Sequence, residues 1–525
     1  MFSALCAESF IKCGGTLGEA SIYSATVFQK IGVSIRGGNY MSDNGLIMQY
    51  FEKDLPDDGT LWKSLALDAA KLKAVGVTAV CLPPAYKGAE GSSDTGYNVY
   101  DLYDLGEFNQ KGSVRTKYGT KKEYLDAIKE LHAKGINVYA DIALNHKMGA
   151  DEVEEVTAAE FNSLNRYQMI GDNRKIGAWT KFTFPGRKNK YSDFKWNWRH
   201  FDGIDWDQKT LKKSLYKFAG KEWNEGVDDT ANGNYDYLMG ADIDFNNQEV
   251  YDELVKWGKW YLETTDIDGM RLDAVKHIPA SFYRDWLYRL REETGKELFT
   301  VGEFWHWDRN LLEKYLEDIK TPASLFDVPL HFSLHNCSRA HGDYDLRRIF
   351  DGSLVESSPI SAVTFVDNHE SQPGGSLESW VEDWFKPMAY AIILLRQQGY
   401  PCLFYGDYKG IPSSKIKSKK TMLDKLLKLR KNKAYGYQHD YLDDPNCIGW
   451  TREGDDEHKD SGLAVVISDG TGGTKRMYIG RHFAGAHFSD VMGNAKYNIK
   501  IDSEGFGDFY VNRDAVSVWV RKEPK

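Results

Sequence analysis

From Gly45 to Asp407 the chain alternates short apolar segments with amphipathic stretches, and eight of the apolar segments have strand character. They are 45–52, 77–84, 136–146, 268–277, 297–305, 324–330, 360–370 and 401–407. Between several of them lie stretches such as LWKSLALDAAKLKAVG and TKKEYLDAIKELHAKG. Their apolar residues recur at three- and four-residue spacing, the pattern of a helix with one packed face. Eight β/α units predict an α/β fold, a (β/α)8 TIM barrel, in which functional residues gather at the C-terminal ends of the strands. The polar clusters fall there: Asn145-His146, Asp273 to His277, Glu303 and Asn368-His369-Glu370.

Two regions break the alternation. The stretch 147–243, rich in aromatic residues, Gly, Asn and Asp, is far too long for an ordinary connection and predicts a domain inserted between strand 3 and helix 3. Beyond 432, short strand-like runs with Gly-rich turns (LAVVISDG, RMYIGRHF, AVSVWV) predict a C-terminal antiparallel β-sandwich over 433–525. The barrel is then assigned 41–146 and 244–432. The lysine-rich run Lys415 to Lys433 reads as a solvated helix face and is assigned no function. Residues 1–40 have weak periodicity, and Arg36-Gly37-Gly38 before Met41 can be encoded by a ribosome-binding-site-like AGA-GGA-GG. The expectation is that Met41 is the true start and that 1–40 is a non-native or disordered extension.

A net charge of −10 argues against nucleic acid, which needs clustered cations. No apolar run is long enough to span a membrane. The six cysteines contain no Cys-x-x-Cys pair, which fits a reducing, cytoplasmic setting without a disulfide framework. The aromatic load, with 15 Trp and 31 Tyr, can supply ring faces for flat, hydroxyl-rimmed ligands such as sugars, although most such rings serve the core.

The segment DGMRLDAVKH, 268–277, concentrates charge. Met270 and Leu272 alternate with Arg271 and Asp273, so the arginine and the aspartate share one strand face. The guanidinium favours the ionised acid, the state a carboxylate nucleophile requires. Such a pair in isolation is ordinarily structural. Glu303, however, ends another strand among Val301, Phe304, Trp305 and Trp307, and an apolar setting keeps a carboxyl protonated so that it can act as general acid. Two carboxyls driven in opposite directions suit retaining glycoside hydrolysis.

DIALNH (141–146), DGMRLDAVKH, VGEF (301–304) and FVDNHE (365–370) resemble, in order and spacing, the four signature regions of the α-amylase superfamily. PPAYKG, YDLYDLGEF, FPGRKNKYSDFKW and NYDYLMGADID further resemble its bacterial liquefying-type and cytoplasmic branch. The resemblance implies that Asp273 is the nucleophile, Glu303 the acid/base and Glu370 the third catalytic residue. It implies that Arg271 orients Asp273, and that His146 and His369 bind the sugar in the donating subsite. Tyr86, Tyr97, Lys276 and Trp305 are further candidates for the substrate cleft. It also implies a Ca2+ ion held by Asn145, Asp236, Asp242 and the His277 carbonyl. Asp202 and Asp244 match an adjoining cluster that holds Na+ or further Ca2+ in such enzymes.

Four positions depart from the pattern. Glu370 stands where Asp is usual, and an extra methylene could misplace the carboxylate enough to cost about a hundredfold in rate. Lys53-Asp54 stands where relatives usually have Trp-Tyr, and Asn224 replaces an acidic ligand of the second metal cluster. Asp367 reads as structural. The expectation is a monomeric, intracellular, calcium-dependent endo-hydrolase of α-1,4-glucans such as starch, glycogen and maltodextrins, with no nucleic acid or membrane partner. The alternatives are a transglycosylase of the same superfamily or a weakly active glucan-binding relative.

Overall fold

The computed structural model describes residues 44–522, so the proposed extension over 1–40 lies outside the described residues. Eight parallel strands close into a barrel. They are β1 (Ile47–Gln49), β2 (Ala79–Leu82), β3 (Asn137–Ile142), β4 (Gly269–Leu272), β5 (Phe299–Gly302), β6 (Ser324–Phe326), β7 (Ala362–Phe365) and β8 (Tyr400–Phe404). Seven lie inside the segments read from the sequence, and β8 begins at Tyr400, one residue before its segment 401–407. The helix that follows each strand is, in turn, α1 (Leu61–Val75), α2 (Lys121–Ala133), α3 (Gln248–Thr265), α4 (Ala280–Thr294), α5 (Arg309–Ile319), α6 (Val328–Ala340), α7 (Lys386–Leu395) and α8 (Lys420–Lys433).

Side-chain alternation divides the core. Tyr139, Val301, Val363, Phe365 and Cys402 fill the barrel interior, while Met270 and Leu272 join the layer packed against the helices. On β4 this leaves Arg271 on the interior face, opposite Asp141 of β3 and Val301 of β5 in the strand register. The barrel pairing therefore brings the acids of three strand ends to one guanidinium.

An antiparallel sheet intervenes between β3 and α3. Its neighbours run His146–Lys147, Ala241–Ile243, Phe201–Asp207, Lys212–Phe218, Glu152–Asn162 and Asn165–Met169, with Arg174–Lys181 also paired to Glu152–Asn162. Buried cations join it to the barrel. Lys147 donates to the Tyr100 carbonyl at 2.7 Å, its ammonium 5.1 Å from the ring centres of Phe182 and Trp196. Arg187 pairs with Asp101 at 2.8 Å.

The C-terminal unit is a six-stranded antiparallel sheet, from Gln438–Tyr441 to Ala515–Arg521, covered by the hairpin-like pair Gly473–Tyr478 and Phe506–Val511. Met477, Phe488, Phe509 and Trp519 fill the space between the two sheets. The lysine-rich run is the helix α8, exposed on one face as read. One of its cations turns inward: Arg430 is 6% exposed and donates to the carbonyls of Gly45 and Leu394, tying α8 to the entry of β1.

Candidate active site

Arg271 lies at the centre of the strand ends. Its Nη1 donates to both oxygens of Asp141 at 2.6 and 2.7 Å and to Asp273 Oδ1 at 2.8 Å. Burial works against its charge, but Asp141 and the other acids more than offset this and raise its pKa. Asp141 is fully buried, and burial pushes its carboxyl up to about 6 against the pull of Arg271. It also accepts the Tyr97 hydroxyl at 2.7 Å.

The chain leaves β4 through Ala274, a non-glycine residue in the left-handed region at φ 48°. That turn presents the Ala274 N–H to Glu303 Oε2 at 2.9 Å. Glu303 is 5% exposed, and its pKa is pushed up to about 8, first by burial and then by Glu370. Burial, followed by the charge of Asp273, also raises Glu370 to about 7, against the opposing effects of Arg271 and a hydrogen bond from Ser376. The apolar setting read from the sequence around Glu303 thus has the expected electrostatic effect.

Glu370 sits in a tight turn whose N–H donates to Asn368 Oδ1 at 2.8 Å. A Cβ on Gly375 would stand 2.0 Å from the Glu370 carbonyl oxygen, so glycine is needed for this approach. Below the turn, the fully buried Lys386 ammonium bridges Asp367 and Asp407 and lies 3.4 Å from the Trp380 ring centre. Asp367 in turn accepts the Ser371 hydroxyl at 2.7 Å. It is a buried support for the loop.

His369 receives the Gln49 side-chain amide on Nδ1 at 3.0 Å, which leaves its proton on Nε2. Burial, then Arg271, holds its pKa well below the usual histidine range, so the ring is neutral. It stacks on Tyr97 with 5.3 Å between centres and 7° between planes. His146 contacts the Tyr97 carbonyl through Nε2 at 3.0 Å. Among the described residues, Arg271 Nη2, His146 Nδ1 and His369 Nε2 are buried with no hydrogen-bond partner within the protein. Buried polar atoms are ordinarily paired, so three orphans beside the acids mark where a hydroxylated ligand completes the network.

Two candidates need refinement. Tyr86 is 1% exposed, packs edge-on against Trp257, and exchanges hydrogen bonds with the Ala143 backbone at 2.6 and 3.3 Å. Its hydroxyl is engaged by the backbone below the acids, so what it offers a ligand is its ring. Trp305 turns into the barrel against His331, Phe332 and Phe365 and keeps 9% exposure, while its carbonyl accepts from Lys276 at 3.2 Å. The openly exposed ring of this loop is Trp307, at 69%.

A second acidic cluster lies at the insert. Asp202, Asp236 and Asp242 are buried with one carboxylate oxygen each mutually within 4.8 Å. Burial, together with mutual repulsion, pushes the Asp202 and Asp242 carboxyls well up, and Asp236 reaches about 7. Asn145 Oδ1, Asp202 Oδ1 and Asp242 Oδ2 are buried without a partner. Four clustered oxygen ligands of this kind, three of them acidic, fit a hard divalent cation. Asp244 lies close enough that, after burial, its charge is the main cause raising Asp202, and it takes the Lys221 ammonium on Oδ2 and the Asn246 N–H on Oδ1. Asn224 donates its amide to Asp202 at 2.8 Å and to Asp236 at 3.1 and 3.2 Å, so it meets the cluster with N–H donors where a carboxylate would add a ligand. His277 belongs to this edge of the site, its Nδ1 2.5 Å from the Tyr235 carbonyl.

Asp141, Gln49 and Gln372 escaped the sequence reading as site residues. The period-two alternation Asp141, Ala143, Asn145 in DIALNH puts Asp141 on the working face and could have found the first of them.

The chain is similar to several known proteins. A crystal structure of an Anoxybacillus α-amylase shares the fold, with a TM-score of 0.62 at 16% identity, covering 93% of this chain and 99% of that one. The Geobacillus stearothermophilus protein named α-amylase is 56% identical over 91% of this chain and 87% of its own length. The Escherichia coli (strain K12) protein named cytoplasmic α-amylase is 42% identical over 91% of this chain and 99% of its own. The family model for the α-amylase catalytic domain matches residues 67–458, and that for the α-amylase C-terminal domain matches 463–520. The chain therefore belongs to the α-amylase family of glycoside hydrolases.

Proposed function

We propose that the protein is an α-amylase that cleaves internal α-1,4-glucosidic bonds of starch, glycogen or maltodextrins with retention of configuration. The observation that carries this reading is the shared guanidinium: Arg271 bonds Asp273 through Nη1 at 2.8 Å while its Nη2 lies 3.8 Å from Glu303. Asp273 attacks the anomeric carbon as Glu303, still protonated near neutral pH, passes its proton to the departing glycosidic oxygen. The Glu303 carboxylate then takes a proton from water, whose oxygen displaces Asp273 and releases the sugar. Glu370 and the neutral Nε2–H of His369 hold ring hydroxyls as the transition state forms. Neutral His146 contributes a further contact, and Tyr97, stacked on His369, shapes the same wall. Lys276 and Trp305 stand on the β4 and β5 loops, beyond the cleavage point.

Asn145, Asp202, Asp236 and Asp242 would hold one Ca2+ ion, joined by the His277 carbonyl. When bound, the ion neutralises the buried acids and clamps the insert to the barrel. Asp244, paired with Lys221, falls outside this set. The N–H donors of Asn224 and Lys221 favour a single ion over a cluster with Na+ or further Ca2+. A setting inside the cell is supported by the name of the Escherichia coli relative and by the four described cysteines, all buried and free. A monomer acting on the glucan alone completes the reading. The domain division proposed is barrel over 41–146 and 244–432, insert over 147–243 and C-terminal unit over 433–525.

The test is release of reducing sugar from soluble starch and glycogen, with Asp273→Asn as control and product anomers followed by NMR. α-Anomers from the wild type and about a thousandfold less activity in the variant are expected. β-Anomers, or an active Asp273→Asn, would overturn the reading.

A further inference from the structure

Helix α6 carries His331, His335 and Ser338 at four- and three-residue spacing, which puts them on one face. That face meets the chain beyond β7. The Ser379 hydroxyl lies 2.8 Å from His331 Nε2, His335 Nδ1 lies 2.9 Å from the Trp380 carbonyl, and the Ser338 hydroxyl accepts the Glu382 N–H at 3.1 Å. The helix is itself fixed at its start. The buried Asp327 accepts the Leu330 N–H at 3.1 Å and, from the segment before β7, the N–H groups of Leu354 and Val355 at 2.9 and 2.7 Å.

Of the three face residues, His331 also reaches the start of the loop, with Nδ1 2.7 Å from the Val366 carbonyl. A carbonyl only accepts, so Nδ1 carries the proton and Nε2 takes the Ser379 hydroxyl. One imidazole thus bridges Val366 and Ser379, the two ends of the loop that carries His369 and Glu370. Within that bridge the Ser379 N–H donates to the Ser371 carbonyl at 3.0 Å, and the Leu377 N–H to the Glu370 carbonyl at 3.2 Å. The ring stacks on Phe365 with 5.0 Å between centres and 8° between planes. Its centre lies 5.5 Å from that of Trp305, which follows Glu303 in the β5 loop. His331 therefore stands between the loops of Glu303 and Glu370.

A polar ring is a costly choice here. His331 is fully buried, and burial lowers its pKa to about 3, so the ring is neutral. Its ring neighbours are Trp305, Phe332 and Phe365. Packing alone would be served by a phenylalanine, without the desolvation of two nitrogens. What the imidazole adds is two directed bonds to the loop.

We propose that His331 is a positioning residue for the third acid: by bridging Val366 and Ser379 and packing against Trp305, it fixes where the Glu370 carboxylate stands relative to Glu303. The proposal rests on the α-amylase reading above for the roles of those two acids. Because His331 acts through Glu370, its loss falls on kcat rather than on KM.

The test is kcat and KM on soluble starch, measured well below the Tm of each full-length variant, with hydrogen–deuterium exchange of the segment 366–384. His331→Phe keeps the ring stack and loses both bonds. It should lower kcat about tenfold, leave KM near the wild-type value and speed exchange in the loop. His331→Asn, whose amide can replace Nδ1 toward Val366, and His331→Gln, whose amide can replace Nε2 toward Ser379, should each recover part of kcat. Ser379→Ala removes one bond with little change of volume and serves if the ring variants fold poorly. It should lower kcat about threefold, and by less in the His331→Phe background. A kcat unchanged in the folded variants while Tm falls would overturn the proposal, since that marks packing alone. So would a loss carried by KM. Exchange reads the loop without substrate: a wild type that cleaves no starch overturns the α-amylase reading, whereas unchanged loop exchange in His331→Phe overturns the bridge.

Discussion

Nη2 of Arg271 lies 3.8 Å from Glu303 Oε2 and has no hydrogen-bond partner among the described residues, although it is buried. The same guanidinium is committed through Nη1 to Asp141 and Asp273. One side chain therefore holds two acids firmly and a third, Glu303, loosely. The weak hold leaves burial and Glu370 free to keep Glu303 protonated.

The pH dependence follows with its sign. A general acid works while protonated, and Glu303 is pushed up to about 8, so kcat/KM should fall as pH rises through that region. Glu370 is the second-largest cause of that elevation, after burial. In Glu370→Gln the residual activity should therefore lose its alkaline limb at lower pH than the wild type. A limb that stays in place contradicts the coupling.

The Glu370 carboxylate takes a hydrogen bond from Ser376, and Gly375 packs against the backbone of the same turn. Glu370→Asp should lower kcat on soluble starch by about tenfold or more. Equal turnover would mean that the extra methylene is immaterial.

Removal of the metal should be felt in stability before chemistry. Chelation should lower Tm by several degrees and calcium should restore it, because the buried acids of the insert repel one another without a cation. Asn224→Asp replaces two donor contacts with another acid. It should be less stable than the wild type in chelator and recover in calcium, with more than one ion per chain by elemental analysis. A Tm indifferent to chelator contradicts the site.

Lys386→Met leaves Asp367 and Asp407 buried without their shared cation. A loss of about 3–5 kcal/mol in urea unfolding is expected. Because Asp367 supports Ser371 in the loop of His369 and Glu370, kcat should fall as well. Wild-type stability would contradict this account of the support.

All eight barrel strands were legible as short apolar runs, several of them followed by a helical stretch, and period-two alternation then places Arg271 and Asp273 inward. Glu303 was legible for the same reason, through its apolar neighbours. For Tyr86, motif position says nothing of rotamer, and only the fold reveals that its hydroxyl bonds the Ala143 backbone. Asp141 and Gln49 act through partners 130 and 320 residues away in sequence, and such pairings become visible only when the barrel closes. The inward turn of Arg430 within a lysine-rich run is of the same kind.

The central claim is that Asp273 forms a covalent glycosyl-enzyme with Glu303 as acid/base. The most direct measurement is intact and peptide mass spectrometry of Glu303→Gln after incubation with α-maltosyl fluoride. Its leaving group needs no acid, and the missing base slows hydrolysis. A maltosyl mass increment on the peptide that contains Asp273 is expected. An increment on Asp141 or Glu370, or none while fluoride is released, would contradict it.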